Sequence, residues 1–271
     1  MKNKLIIVLC FMVAIGGVLL IFSKKDNAHL DGDSKNNNVS TQALYEQAQQ
    51  LQNDGKKLEA KELYKNILQD SPDFDRVETI QTQLSDLNLE IITSNTQTPE
   101  TVLHEVVSGD SLGKLAKKYN TTIDLIKKSN NINQDVIRVG QKLRIWTTPF
   151  NILVDKSQNI LILKAGDEVI KVYTVSTGTN NSTPLGTFKI TTKLMDPVWF
   201  KSGAIIPPES SENVLGSRWM GFDIAGYGIH GTVEPEKIGQ QATAGCVRMI
   251  NKDIEEIYTL IPTGTEVTIV D

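Results

Sequence analysis

Cysteine and histidine are scarce in this sequence of 271 residues. It contains two cysteines, Cys10 and Cys246, and three histidines, His29, His104 and His230. So few thiols exclude a disulfide framework and a zinc site built on several thiolates. The sequence also lacks a His-Glu-x-x-His motif or a three-ligand cluster, which disfavours a metalloprotease. We therefore expect neither a metal ion nor a cofactor.

An excess of charge of one sign is also lacking. Lys and Arg number 28 against 32 Asp and Glu, which gives a net charge of -4. That balance argues against a nucleic-acid binder held by a global basic field. The length predicts two or three domains, and 39% apolar with 22% charged residues is typical of globular domains joined by polar linkers.

The longest apolar run is Leu5 to Phe22, eighteen residues without a charge or a proline. It predicts either a membrane-spanning helix or a secretory signal within residues 1–25. The absence of a small-x-small cleavage site favours an uncleaved anchor, and Leu9 before Cys10 argues against a lipoprotein. Two lysines flank each end of the run, so charge counting leaves its orientation open. The sequence thus indicates an exported, membrane-attached protein.

Residues 26–40 are polar and predict a flexible linker, and residues 93–103 predict a second linker. Between them, residues 41–92 show helical periodicity interrupted by Asn53-Asp54-Gly55 and by Pro72. The segment resembles one tetratricopeptide repeat followed by a helix, through Ala48, Gly55, Ala60, Tyr64 and Pro72. Such repeats stack in about three copies. We therefore interpret the segment as a helical spacer or docking piece of unknown partner.

Residues 104–147 predict a strand, two helices and a strand, an α+β unit. Asp110 or Ser111 is expected to cap the first helix, and Thr121 or Thr122 the second. Eight basic and four acidic residues between His104 and Trp146 give this unit a charge of +4. That charge is compatible with a polyanionic wall polymer but also with an ordinary solvated surface.

This unit resembles a LysM domain, from its Val-Ser-Gly-Asp-Ser-Leu start to its Val-Gly-Gln-Lys-Leu-Arg-Ile end. The resemblance implies binding to glycans that contain N-acetylglucosamine, such as peptidoglycan or chitin. It implies a groove formed by the loop after the first strand and the loop after the second helix. The corresponding residues are Gly109, Asp110, Ser111, Leu112, Asn131 and Ile132.

From residue 150 to residue 271 the pattern has a period of two with frequent turns, which predicts a mainly-β, sandwich-like domain. One helix is expected, from Asn251 to Leu260. Taken together, these segments predict a multidomain chain: a transmembrane helix, a short helical segment, an α+β unit and a mainly-β domain.

The carboxy-terminal domain contains one cysteine, Cys246, and one histidine, His230. A nucleophilic thiol needs a base or a cationic neighbour. His230 could accept the proton, and Arg248 would favour the thiolate. Gly231 and Gly245 leave backbone exposed, so that a carbonyl could orient the imidazole and amides could hold an oxyanion. A single Cys and His are more often packing residues, so spacing alone leaves both interpretations open.

The segments Ile229-His-Gly-Thr232 and Ala244-Gly-Cys-Val-Arg-Met249 resemble the L,D-transpeptidase (YkuD-type) catalytic domain. So do Thr183-Pro-Leu-Gly-Thr-Phe188, Pro197-Val-Trp199 and Gly216-Ser-Arg-Trp-Met-Gly221. Many family members have Ser-His-Gly-Cys, whereas Thr243-Ala-Gly-Cys246 stands here, which leaves His230 as the base. The resemblance implies a peptidoglycan transpeptidase whose partners are stem peptides and glycan strands.

The resemblance implies that Cys246 attacks a stem tetrapeptide and releases its terminal D-alanine. His230 would act as the base, with Gly231 holding its tautomer, and amides around Gly245 would hold the oxyanion. Tyr227 and Trp219 are candidates for the pocket wall, although Trp219 could instead be a core residue. An L,D-carboxypeptidase of the same acyl-enzyme type and a non-catalytic wall-binding scaffold remain alternatives.

Overall fold

The computed structural model describes residues 33–201 and 203–271. The chain divides into two compact units, one ending at Ile92 and one comprising Thr93–Asp271. Within the described ranges, no helix has the length and apolar character needed to cross a membrane. The anchor or signal expected within residues 1–25 lies outside the described residues.

The first unit consists of three helices: α1 (Asp33–Asn53), α2 (Lys57–Asp70) and α3 (Val77–Thr93). Gly55, at a φ of 76°, turns the chain between α1 and α2. Helix α1 begins inside the stretch expected to be a linker, so residues 33–40 are helical. Extending an existing helix costs less than starting one. The polar residues 33–40 can therefore be helical, because they precede and extend the packed part of α1. The core of this unit includes Tyr45, Ala48, Ala60, Tyr64, Ile67, Ile80, Leu84 and Leu87.

The second unit begins with the strand, helix, helix and strand expected from the sequence. These are β1 (Thr101–Glu105), α4 (Leu112–Lys118), α5 (Ile123–Ser129) and β2 (Lys142–Trp146). Strand β1 begins within the stretch expected to be a linker and pairs antiparallel with β2 along its whole length. Ser111 caps α4 by accepting the Lys114 N–H, and Thr122 caps α5 by accepting the Leu125 N–H. The choice between neighbouring caps is thereby resolved.

In the described residues, twelve strands and one α-helix, α6 (Asn251–Leu260), follow. Eight strands form one sheet: β3 (Phe150–Asp155), β4 (Ile160–Ala165), β5 (Glu168–Thr174), β7 (Gly186–Met195), β10 (Arg218–Phe222), β11 (Gly228–His230), β13 (Val247–Arg248) and β14 (Glu266–Val270). Two further pairs are β6 (Thr177–Gly178) with β12 (Gln241–Thr243), and β8 (Trp199–Lys201) with β9 (Ala204–Ile206).

The strand order of the large sheet is β13-β11-β10-β7-β14-β3-β4-β5. The domain contains one curled sheet in place of the expected sandwich. In this sheet the last strand, β14, lies between β7 and the first strand of the domain, β3. Period two identifies strands that bury one face, but it does not distinguish one curved sheet from two stacked sheets. Helix α6 covers this sheet with Ile254, Ile257 and Leu260, which are fully buried.

The connection between β2 and β3 comprises only residues 147–149. The Trp146 ring stacks on the Phe150 ring, with 5.7 Å between centroids and 14° between planes. The Thr122 hydroxyl donates a hydrogen bond to the Thr259 carbonyl near the end of α6. The α+β module and the curled-sheet domain are thus in direct contact.

Candidate active site

His230 ends strand β11 and is 3% exposed. Its Nδ1 lies 2.7 Å from the carbonyl oxygen of Gly231. Because a carbonyl oxygen only accepts, the proton of the neutral imidazole resides on Nδ1 and the lone pair on Nε2. The Trp219 ring stacks on the imidazole at 5.8 Å and 20°. The ring is therefore held in one orientation, with a basic Nε2.

Burial also sets the charge state of His230. It lowers the pKa of the imidazole to about 4, and the positive charge of Arg248 acts in the same direction. The hydrogen bond with the Gly231 carbonyl partly opposes these effects. At neutral pH the imidazole is neutral and able to accept a proton.

Cys246 stands immediately before β13, which pairs in parallel with β11 through Ile229 and Val247. This register places Cys246 beside Gly228, two residues before His230. The Cys246 Sγ lies 3.5 Å from the Gly226 carbonyl oxygen, and the residue is half-buried. Burial raises the pKa of the thiol, while the Gly228 backbone and the Arg248 charge act to lower it. The resting pair is therefore a neutral thiol and a neutral imidazole.

The turn that carries Cys246 is closed by the Thr243 hydroxyl. That hydroxyl accepts the Gly245 N–H at 3.1 Å and donates to the Cys246 carbonyl at 2.7 Å. The sequence led us to expect amides of both residues at an oxyanion hole, but the Gly245 N–H is already engaged. The Cys246 N–H has no acceptor within the described part of the chain, so it can serve an oxyanion.

Gly245 is required sterically. Its φ is +135°, and a Cβ at this position would lie 2.7 Å from Cε1 of Tyr227. Tyr227 is half-buried and lies against the turn that carries Cys246. Trp219 is also half-buried and stacks on His230.

Asn251, the first residue of α6, was not identified from the sequence. Its Oδ1 accepts the Ser217 N–H at 3.1 Å and the Thr232 N–H at 3.0 Å. A Cβ on Gly231 would collide with this same oxygen. Asn251 thus holds the backbone directly after His230–Gly231. A short amide side chain five residues after the cysteine was the available signal.

Arg248 lies in β13 opposite His230 and is 6% exposed. Its backbone N–H and carbonyl both bond to Ser176, at 2.8 Å each. Its Nη1 lies 3.0 Å from Oε2 of Glu234, a second residue that the sequence did not single out. Arg248 is therefore a buried, paired cation and not an open carboxylate receptor.

The candidate glycan residues in the α+β module have different environments. Gly109, Ser111 and Asn131 are exposed, and Gly109 and Asn131 have positive φ values of 90° and 54°. Leu112, in contrast, belongs to the core of the module, and Ile132 packs against that core. The Leu112 side chain supplies the apolar face of α4, so Leu112 stays a glycan candidate through its backbone only.

Asp110 is occupied by contacts within the module. Its carboxylate accepts the Val107 N–H at 2.9 Å and lies 2.9 Å from Nε2 of His104. The other ring nitrogen of His104 lies 3.0 Å from the Tyr119 hydroxyl. The Val107 N–H and His104 hold the pKa of Asp110 below its usual range. Oδ2 of Asp110 makes both contacts, so this residue shapes the loop after β1.

The thiol, the oriented neutral imidazole and the Cys246 amide make this a candidate site of the cysteine-nucleophile acyl-transfer class. Known proteins point to the same class. Residues 149–269 match the YkuD family, described as the L,D-transpeptidase catalytic domain, and residues 104–146 match the LysM domain.

Two relatives from Bacillus subtilis (strain 168) are similar over most of their own length. YqjB, named as a candidate L,D-transpeptidase, is 40% identical over 126 residues, which cover 44% of this chain and 70% of that protein. YkuD, named in the same way, is 30% identical over 173 residues, which cover 61% of this chain and 97% of that protein. The chain belongs to the L,D-transpeptidase family, and it carries a LysM domain before the catalytic domain.

Proposed function

We propose that this protein is a peptidoglycan L,D-transpeptidase that works through a thioester on Cys246. The observation that carries the proposal is the hydrogen bond from His230 Nδ1–H to the Gly231 carbonyl beside a half-buried thiol. This bond places the imidazole proton on Nδ1, so that Nε2 carries the lone pair that would accept the thiol proton. Catalysis by Cys246, His230, Gly231, Gly245 and Arg248 is a proposal that rests on this geometry.

In the first half-reaction, the Cys246 sulfur attacks the carbonyl carbon of the third residue of a stem tetrapeptide. The thiol proton passes to Nε2 of His230, and the negative charge develops on the substrate oxygen near the Cys246 N–H. The bond to the terminal D-alanine then breaks, and His230 donates the proton to the leaving amine. The products are free D-alanine and a thioester.

In the second half-reaction, the side-chain amine of another stem attacks the thioester. His230 takes a proton from this amine and returns it to the departing sulfur. An amide between two third residues forms as the thioester breaks. If water attacks instead, the product is a tripeptide, which is the reaction of an L,D-carboxypeptidase.

Tyr227 and Trp219 would form the walls beside these reacting groups. Tyr227 lies against Gly245, and Trp219 covers one face of the imidazole. Arg248 would act through its field, because its contact with Glu234 and its burial leave little access for a substrate carboxylate. Its positive charge favours the thiolate that forms as the proton leaves.

The LysM domain, residues 104–147, would bind peptidoglycan glycan strands and keep the catalytic domain, residues 150–271, close to its substrate. Such tethering raises the local concentration of stem peptides without a new catalytic contact. The exposed Gly109, Ser111 and Asn131 are the best-placed glycan contacts in this proposal. Residues 41–92 would act as a spacer, and their protein partner is not identified.

The LysM domain gives the protein a cell-wall context. We further infer an extracytoplasmic location, with the apolar run Leu5 to Phe22 as a membrane anchor or a cleaved signal. Wall chemistry requires the LysM and catalytic domains on the outer side. Mass spectrometry of the mature amino terminus, together with membrane fractionation, would separate an anchor from a cleaved signal.

The proposed activity is tested by incubating the full-length protein with a disaccharide-tetrapeptide and measuring product masses. We expect a cross-linked dimer that has lost one D-alanine for each new bond. The Cys246→Ala variant should form none, while its thermal unfolding and its binding to insoluble peptidoglycan stay unchanged.

Other outcomes assign the protein to an alternative. Tripeptide without dimer would favour an L,D-carboxypeptidase. If no product and no adduct on Cys246 form while glycan binding persists, the protein is a wall-binding scaffold. Dimer formation by Cys246→Ala would contradict the thioester mechanism itself.

A further inference from the structure

Glu234 connects two cations next to the proposed nucleophile. Its Oε2 lies 3.0 Å from Nη1 of Arg248, and its Oε1 forms an ion pair with Lys237. Its own N–H donates to the Thr232 hydroxyl at 2.9 Å. Glu234 is partly exposed, whereas Arg248 is 6% exposed. A buried guanidinium beside a single partly exposed carboxylate depends strongly on that partner.

The position of Arg248 makes this pairing relevant to chemistry. Arg248 is the register partner of His230 across β11 and β13, and it stands two residues after Cys246. On the edge of β13 away from β11, its backbone N–H and carbonyl both form hydrogen bonds with Ser176. The backbone is therefore fixed, and Glu234 is the described carboxylate that orients the guanidinium.

We propose that Glu234 is a positioning residue that holds the Arg248 guanidinium beside the Cys246–His230 pair and offsets part of its positive charge. The proposal rests on the nucleophilic role proposed for Cys246 and extends it to the loop after His230. Glu234 touches no reacting atom and acts through Arg248.

The titratable and charged groups around the thiol come from four segments. His230 comes from β11 and Arg248 from β13, while Tyr227 precedes β11 and Glu234 and Lys237 belong to the segment after it. Arg248 lowers the pKa of both Cys246 and His230. Removing the negative charge of Glu234 should strengthen this effect, so the thiol should ionise at lower pH.

The test measures the rate of alkylation of Cys246 by iodoacetamide as a function of pH in the full-length protein. In Glu234→Gln, which keeps a hydrogen-bond acceptor, we expect the midpoint of this pH dependence to fall by about half a pH unit or more. The rate near neutral pH should rise about threefold. In Glu234→Asp, which restores the charge, the midpoint should return toward the wild-type value.

Glu236→Gln is the matched control. It removes the same charge from an exposed side chain that lies two residues further along the chain. Its midpoint should stay within about 0.2 units of wild type, because exposed charges are screened. Arg248→Met should itself raise the midpoint, because the thiol loses the positive charge that Glu234 offsets. Opposite shifts in the two variants would show that the Glu234–Arg248 pair sets the charge beside the thiol.

The proposal is overturned if Glu234→Gln leaves the midpoint unchanged or raises it. It is also overturned if Glu236→Gln produces an equal shift, or if Arg248→Met fails to raise the midpoint. If Glu234→Gln fails to fold, the neutral Glu234→Asn replaces it, and the same fall in the midpoint relative to Glu234→Asp is expected. Loss of cross-linking in Cys246→Ala with no midpoint shift in Glu234→Gln would refute this inference alone.

Discussion

His230 is neutral because the fold removes it from water. Its pKa is lowered to about 4, against 6.5 for an unfolded chain. The unfolded state therefore binds more protons between these values, so stability rises with pH across this window. The contribution is complete above about pH 6.5 and is lost as the pH falls toward 4.

From His230 alone, we expect the free energy of unfolding of the wild-type protein to fall by at most about 3 kcal/mol as the pH falls across this window. His230→Gln cannot take up the proton, so its stability should depend less on pH there. Urea unfolding at pH 4.5, 5.5 and 7 would measure both slopes. A His230→Gln profile as steep as that of the wild type would show that another group is responsible.

The second prediction at this scale concerns Gly245. Gly245→Ala should lower the cross-linking rate at least tenfold, because the new methyl group collides with Tyr227 and displaces the turn that carries Cys246. The destabilisation should be about 1–3 kcal/mol.

Gly264→Ala is its control, because Gly264 also has a positive φ, 91°, but a Cβ there meets nothing within 4 Å. It should show the backbone cost without the loss of rate. Equal rates for the two variants would show that the Tyr227 contact is unimportant for the nucleophile.

At the scale of elements, Asn251 couples the start of α6 to the loops on both sides of His230. Asn251→Ala leaves the Ser217 and Thr232 N–H groups without their acceptor, so we expect a loss of about 1–3 kcal/mol. The cross-linking rate should fall by more than the loss of folded protein accounts for, because Asn251 no longer holds the backbone around Gly231. Asn251→Asp keeps the Oδ acceptor and should restore most of both. Chemical unfolding and product formation measure the two effects.

The LysM loop gives a second prediction at this scale. Asp110→Ala removes the acceptor shared by Val107 and His104, so the loop that carries Gly109 and Ser111 should lose its shape. Pull-down on insoluble peptidoglycan should then show binding weakened several-fold. Asp135→Ala is the control, because Asp135 is an exposed carboxylate that pairs only with Lys127 in the described residues. Comparable binding by the two variants would contradict a role for the Asp110 contacts.

At the scale of the whole molecule, Thr122 serves two domains at once. It caps α5 in the LysM domain and donates to Thr259 at the end of α6 in the catalytic domain. Nearby, the Lys193 ammonium donates to the carbonyls of Tyr258 and Ile261, at 2.6 and 2.7 Å. Burial lowers the pKa of Lys193 to about 8, and the LysM residue Asp124 opposes this shift.

We expect Thr122→Val to cost about 1–2 kcal/mol through the lost cap and to uncouple the unfolding of the two domains. Ser111→Ala removes the α4 cap, whose hydroxyl bonds to Lys114 of the same helix, and should leave the unfolding coupled. Scanning calorimetry would distinguish one transition from two. Two transitions in the wild type would show that the domains are already independent.

Local features were determined by the sequence. The helix boundaries near Pro72 and Gly55 and the helix Asn251–Leu260 depend on residues a few positions apart, so periodicity predicted them. Capping chemistry left two neighbouring candidates for each LysM helix, and the structure selected Ser111 and Thr122. The family resemblance, carried by contiguous motifs around His230 and Cys246, likewise needed no coordinates. The predicted linkers, residues 26–40 and 93–103, were too long. Helix α1 extends into the first, and strand β1, which pairs with β2, begins within the second.

The tertiary structure alone decided which distant groups meet. Strand β13 returns parallel to β11, and this pairing brings Arg248 opposite His230 and within reach of Glu234. The same packing places Asn251 behind Gly231 and uses the Gly245 N–H for Thr243. Period-two patterns specify which side of a strand is buried but not its neighbour in the sheet. Sequence therefore determined the helices and strands and the candidate nucleophile, while strand order determined the electrostatic surroundings of that cysteine.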